Sequence, residues 1–312
     1  MSHETNTVAW WRLLNRYQWF VLIVAAAGWL LDCMDQQLFN LARTPAMKEL
    51  LKGTFAPDAT PAQIAATVQE HAGYSTAIFL LGWATGGLIF GVLGDRIGRA
   101  KTMLITILMY SGCTGLSALS QAFWDFALYR FITGLGVGGE FAVGVALVAE
   151  VMPDKARPYA LSLLQALSTV GNIGAAVTSI SLGHLETTGV LGSLGGWAAW
   201  RWMFIVGAFP ALLVVVIRRN LKEPERWVQM KASGMDMKKL GDYGELFGNP
   251  NWRRPATVAG LLLLTGILLG FLGPASWSKT LVLPGFSLLK TMVLGFSLAA
   301  MAAGLWVVYG GG

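Results

Sequence analysis

Long apolar stretches, each ended by a short polar or charged interruption, recur along the chain. They fall at about 18–40, 71–93, 102–121, 124–151, 157–182 and 198–217. A polar stretch over 218–254, broken by Pro224 and Pro250, separates them from a seventh run at about 255–272 and an eighth at about 288–309. At 1.5 Å of rise per residue, about twenty apolar residues cross a hydrocarbon layer of roughly 30 Å. The runs are continuous and lack the two-residue alternation of a barrel strand. The pattern predicts an all-α polytopic membrane protein. Its parts are an N-terminal segment 1–17, a six-span block 18–217, a central loop 218–254 and a last segment 255–312.

Composition agrees with this division. Apolar residues make up 54% of the 312 and charged ones 13%, against roughly a quarter charged in soluble domains, and mean hydropathy is +0.56. The formal charge of +6 is spread over several short loops and forms no single stripe. An acidic lipid surface therefore suits it better than nucleic acid. Arg12, Arg16, Arg96, Arg99, Lys101, Lys155, Arg157 and the basic 218–254 stretch fall on one side of the layer. Through the sixth span the other side carries Arg43, Lys48, Lys52 and Arg201. The bias predicts a cytoplasmic N-terminus in a plasma (cytoplasmic or inner) membrane. Cys33 and Cys113 lie within spans, so no disulfide framework is implied. His3, His71 and His184 are scattered and suggest no metal site, and no cofactor is expected.

Glycines recur four apart at Gly82 and Gly86, Gly87 and Gly91, and Gly134 and Gly138. Small residues at that spacing let helices approach closely in lipid. Gly134, Gly136 and Gly139 also satisfy G-x-G-x-x-G, but a dinucleotide site needs a strand before the glycines and a helix after. Here they lie inside one long apolar run.

Ionisable residues inside the spans are the candidates for chemistry. A charged Asp at mid-membrane costs about 2.5–3.5 kcal/mol on insertion scales. Asp32 and Asp35 are three apart and share a helix face, late in the first span. A carboxylate that changes protonation with access is what proton coupling requires. Alternatively, Asp35 pairs near the interface, with Arg43 a possible partner. Arg130 and Glu140, ten apart in the fourth span, lie on similar faces. Arg130 could hold a solute carboxylate bidentately, and a structural charge pair is the alternative. Gln165 and Asn172 of the fifth span are neutral donors, for a cavity or for a neighbouring helix.

Two strings are more specific. Between the second and third spans the chain reads Gly91-Val-Leu-Gly-Asp95-Arg96-Ile-Gly98-Arg99-Ala-Lys101. Along the fourth it reads Arg130-Phe-Ile-Thr-Gly134-Leu-Gly136-Val-Gly138-Gly139-Glu140, followed by Glu150, Pro153 and Arg157. The first resembles the hallmark loop of the major facilitator superfamily. The second resembles that superfamily's sugar and organic-ion branch, as do Trp200-Arg201-Trp202-Met203-Phe204 and Glu223-Pro224-Glu225-Arg226-Trp227.

The resemblance covers about residues 15–260. It implies two six-span halves with a solute bound between them near the midplane, the loop of Gly91, Asp95, Arg96, Gly98 and Arg99 acting in conformational gating. This chain is then expected to be the six-span N-terminal half plus one or two further spans. It also implies transport rather than an enzyme activity: alternating-access movement of a small organic solute across a lipid bilayer, driven by a proton gradient. Asp32, Asp35 and the Gly-Gly-Glu of the fourth span resemble organic-acid and metabolite symporters. Gln165 resembles the glutamine that binds sugar hydroxyls in sugar porters, which leaves a neutral sugar open. A truncated, non-transporting membrane remnant is a further alternative.

Overall fold

The computed structural model describes residues 9–193 and 195–212, then 217, 220–234 and scattered positions from 241 to 287. Two compact units divide the chain, residues 1–241 and 242–312. In the second, Val282 pairs antiparallel with Ser287 and Leu283 with Phe286. The seventh and eighth expected spans lie largely outside the described residues.

The first unit is helical. Helix α1 (Arg16–Leu50) opens on a capping box in which Asn15 accepts from the Gln18 amide while the Gln18 side chain accepts from the Asn15 amide. It extends well past the expected limit near residue 40. Arg43, Lys48 and Glu49 make its last turns polar, yet Ala42, Ala46, Met47 and Leu50 are buried there and hold the helix through Pro45. Tertiary packing overrides the proline. In consequence Asp32 and Asp35 stand midway along α1, not near its end.

Helix α2 (Pro61–Ile97) likewise starts ten residues before the expected span, behind a Thr60–Gln63 capping box with proline in its first turn. Helices α3 (Arg99–Ser117), α4 (Phe123–Val151) and α5 (Arg157–Thr187) follow. A short turn of helix, α6 (Val190–Ser193), leads to α7 (Ala199–Gly207), which continues as a 3-10 turn at Phe209–Leu212. Helix α8 (Glu225–Ala232) closes the unit. Among the described residues α1, α2, α4 and α5 are long and apolar enough to cross a membrane. Helix α3 is weakened as an apolar span by a buried polar stripe, and α7 is described over one short stretch only.

Helices α2 and α4 meet backbone to backbone. A side chain at Gly82 or Gly86 would strike the carbonyls of Phe131 and Leu135, and one at Gly134 or Gly138 those of Phe79 and Trp83. The four-residue glycine spacing is thus a reciprocal packing device. Gly136 faces α3 instead, against Tyr110 and the Thr106 carbonyl. These glycines sit in mid-helix, the wrong setting for a nucleotide loop. Outward faces of α2 and α5 expose Leu80, Leu88, Ile89, Val170, Ile173, Val177 and Ile180, as contact with lipid requires.

Two apolar cores occupy the two ends of the bundle. One gathers Leu38, Phe39, Phe79, Phe126, Trp200 and Phe204. The other gathers Val21, Leu22, Met103, Ile107, Val143 and Leu147. A layer of buried polar residues lies between them.

Candidate functional site

The polar layer is assembled by α1, α3, α4 and α7. Arg130 of α4 is 0% exposed and Asp35 of α1 is 1% exposed. Arg130 Nη1 lies 3.8 Å from Asp35 Oδ2, too far for a hydrogen bond. Its other nitrogens are fully engaged. Nε and Nη2 donate to Ser117 Oγ at 3.2 and 3.0 Å, and Nη2 reaches Thr114 Oγ1 and Thr133 Oγ1 at 3.1 Å each. The guanidinium carbon lies 5.4 Å from the Phe39 ring centroid and 4.8 Å from that of Phe204, distances at which a ring face attracts a cation. Arg130 is held by hydroxyls and rings, and Asp35 meets it loosely.

Space for Asp35 comes from Gly207 of α7. A Cβ there would lie 2.6 Å from Asp35 Oδ1 and 2.8 Å from the Thr114 methyl. The alternative of an Asp35–Arg43 pair is overturned, because Arg43 Nη1 instead donates to Thr76 Oγ1 at 2.7 Å. Nor does Arg130 face a cavity in this conformation; it faces Asp35, since α1 and α7 close over it.

One turn along α1, Asp32 is 1% exposed and Glu140 of α4 is 2% exposed. Glu140 and the Tyr110 hydroxyl of α3 are Asp32's polar neighbours. Both oxygens of Asp32 and the hydroxyl of Tyr110 are buried without a well-formed hydrogen bond. Gly28, one turn before Asp32, leaves room for the Glu140 carboxylate, which occupies the place its side chain would take. Gln165 and Asn172 are not gathered here; both are exposed along α5.

A second charged assembly caps the end of the bundle where α2 stops. Arg99 Nη2 lies 2.6 Å from Asp95 Oδ1 and 2.9 Å from Glu150 Oε1, and Arg99 Nε donates to the same Glu150 oxygen at 3.1 Å. Arg99 Nη1 also reaches the Gly91 carbonyl at 3.5 Å. Glu150 is therefore joined to the α2–α3 loop rather than to Arg157, which pairs with Asp154 at 2.7 Å. Gly98 ends α2 at φ +110°, a conformation that favours glycine. The Glu223 carboxylate fills the space a side chain there would need and accepts from the amides of Ala100 and Lys101 at 3.1 and 3.2 Å. It thereby satisfies free N–H groups in the first turn of α3. Trp227 of α8 donates to the Asp95 carbonyl at 2.9 Å.

The opposite end carries a tie that sequence reasoning missed. Glu49 accepts from Trp200 Nε1 at 2.6 Å and from Arg201 Nε and Nη2 at 3.2 and 2.9 Å. Arg201 Nη1 donates to the Ala118 carbonyl at 2.6 Å. A cavity of about 990 Å³ opens beside Glu49, Glu186 and Arg201. Also missed were Tyr110, Thr114 and Ser117, whose four- and three-residue spacing places them on one face of α3. That spacing of hydroxyls in an apolar run was the available signal.

A bundle of apolar helices long enough to cross a membrane, with a charged layer between two apolar cores, defines a class, the polytopic membrane proteins. The sugar (and other) transporter family matches residues 17–243, and the chain belongs to that family, within the major facilitator superfamily. It is 32% identical over 306 residues to a Haemophilus influenzae protein named "Putative metabolite transport protein", with 94% of this chain and 67% of that one covered. It is 30% identical over 225 residues to a "Probable 4-methylmuconolactone transporter" of Cupriavidus pinatubonensis, covering 72% and 47%. The chain thus spans about a third to two thirds of the length of the curated relatives it matches. Among solved structures, the xylose transporter XylE of E. coli, in a partially occluded inward-open conformation, superposes with TM-score 0.58 at 20% identity. That match covers 81% of this chain and 60% of XylE. It shows a shared fold.

Proposed function

We propose that the chain serves secondary active transport of a small organic anion, an aromatic or sugar acid, in symport with a proton. The observation that carries this reading is the loose Asp35–Arg130 contact: Nη1 stands 3.8 Å from Asp35, and neither it nor the Asp35 oxygens makes a hydrogen bond, while the other two guanidinium nitrogens are bonded to hydroxyls. An ionised Asp35 compensates the buried guanidinium. A protonated Asp35 leaves Arg130 needing another anion, and a solute carboxylate answers that need. Proton and solute are then taken up together, once a movement of α1 or α7 uncovers Arg130. The similarity to metabolite and methylmuconolactone carriers supports a small organic solute.

On this reading the end bearing Asp95, Arg99 and Glu150 faces the cytoplasm and the membrane is the plasma or inner membrane, as the loop charges suggest. The arginine–acid cluster there would tie helix ends while the charged layer works. In vesicles carrying the protein, inward acid-driven uptake of benzoate or a sugar acid is expected, collapsing with an uncoupler and lost in Asp35→Asn. Uncoupler-resistant uptake that is unchanged in Asp35→Asn overturns the coupling role. A neutral sugar bound through the exposed Gln165 is the second reading. Competition by a free sugar, abolished in Gln165→Ala, would select it. Vesicles that accumulate neither solute point to a non-transporting membrane protein.

A further inference from the structure

We propose that Asp32 and Glu140 form a shared-proton site, two carboxyls across the α1–α4 contact holding one proton between them with the Tyr110 hydroxyl as third member. The proposal builds on the proton-coupling reading above but assigns a separate site, and its test needs no uptake. Three observations support it. Asp32 and Glu140 are all but fully buried as neighbours, with Gly28 leaving room for the Glu140 carboxylate. Asp32 has two buried oxygens and Tyr110 a buried hydroxyl, none with a well-formed hydrogen bond, so all three have unused bonding capacity where they meet. The other charged groups of the layer are already matched to each other, since Arg130 faces Asp35.

The ionisable groups of the mid-bundle layer enter the balance. Helix α1 brings Asp32, Asp35 and Cys33, α3 brings Tyr110 and Cys113, and α4 brings Arg130 and Glu140. Arg130 and Asp35 cancel. Two carboxyls then remain with no cation beside them among the described residues, and two adjacent ionised carboxylates repel strongly in a desolvated site. One positive charge resolves this. A dehydrated alkali cation would draw all the carboxyl and phenol oxygens around itself, and the Met103 methyl, the neighbour of Glu140 at Gly28, adds no oxygen to such a shell. A proton needs only the two facing oxygens. No bond other than O–H is made or broken. The proton sits on one carboxyl and is donated to the other, while the Tyr110 O–H donates to the ionised partner and positions it.

Infrared difference spectroscopy of the detergent-solubilised chain tests this, with folding of each variant checked by circular dichroism. In neutral buffer the protein is expected to show a protonated-carboxyl stretch of one group's intensity that shifts in heavy water. It is expected to change frequency in Asp32→Asn and in Glu140→Gln, where the remaining desolvated carboxyl loses its carboxylate partner, and to keep its position in Asp35→Asn. In Tyr110→Phe the band stays but changes frequency, which a merely packing role for the phenol would not produce. Absence of the band from the unmodified protein, or its loss only in Asp35→Asn, overturns the site. So does selective stabilisation against heat by sodium over potassium chloride, which assigns the pair to a metal cation. Failed uptake with the band present counts against the transport reading alone.

Discussion

Two arginines, Arg99 and Arg130, hold acidic side chains in different ways. Arg99, at a helix end and partly open to water, sits within 2.9 Å of both Asp95 and Glu150. Arg130, sealed in the middle of the bundle, stands 3.8 Å from Asp35 and spends its hydrogen bonds on Ser117, Thr114 and Thr133. Where water screens the charges, tight pairing is cheap and contributes little. In the dry layer a charge pair is costly to desolvate and severe to break. The end cluster is therefore bonded as a fastening, and on the proposed transport reading the central pair is a balance whose partner is exchanged.

Arg130→Ala breaks the comparison most severely. It strands Asp35 in the interior, and a loss of about 3–5 kcal/mol is expected, read by denaturant unfolding in detergent. The double variant Asp35→Asn/Arg130→Ala should recover much of that loss. Next, Gly207→Ala presses a methyl onto Asp35 and Thr114 and should cost about 1–3 kcal/mol, by the same unfolding measurement. At the fastened end, Glu223→Ala leaves two amides of α3 without their acceptor. About 1 kcal/mol is expected, in the range of cap removal, with hydrogen exchange quickening first at Ala100 and Lys101. The smallest effect belongs to Glu150→Gln. Arg99 keeps Asp95, so the change should stay below ~1 kcal/mol and fade in high salt; an effect as large as that of Arg130→Ala would erase the distinction between the two arginines.

Much of the bundle was legible in the order of residues. The apolar runs placed α1 to α5, and the glycines at 82, 86, 134 and 138 announced close helix approach without naming the partners, which the fold shows to be α2 and α4. Helix lengths were less legible. The last turns of α1 look polar one residue at a time, and only the burial of Ala42, Met47 and Leu50 against other helices explains their persistence. Asp32, Asp35, Arg130 and Glu140 stood out because charge in lipid is expensive. Their pairing did not, because Asp35 and Arg130 are far apart in sequence and meet only through packing. Arg43, closer along the chain, was the natural but mistaken partner. A hydroxyl is cheap to bury when it bonds its own helix, as Ser117 does at the Cys113 carbonyl, so hydroxyls such as Thr114 and Ser117 gave a fainter signal than the arginine they hold.

The contact between α2 and α4 has a mechanical consequence. Where backbone rests on backbone, no rotamer can yield to cushion a displacement, so the two helices must travel as a single plank. On the transport reading, uncovering Arg130 then falls to the helices packed over it from the other sides, α1, α3 and α7, swinging against that keel.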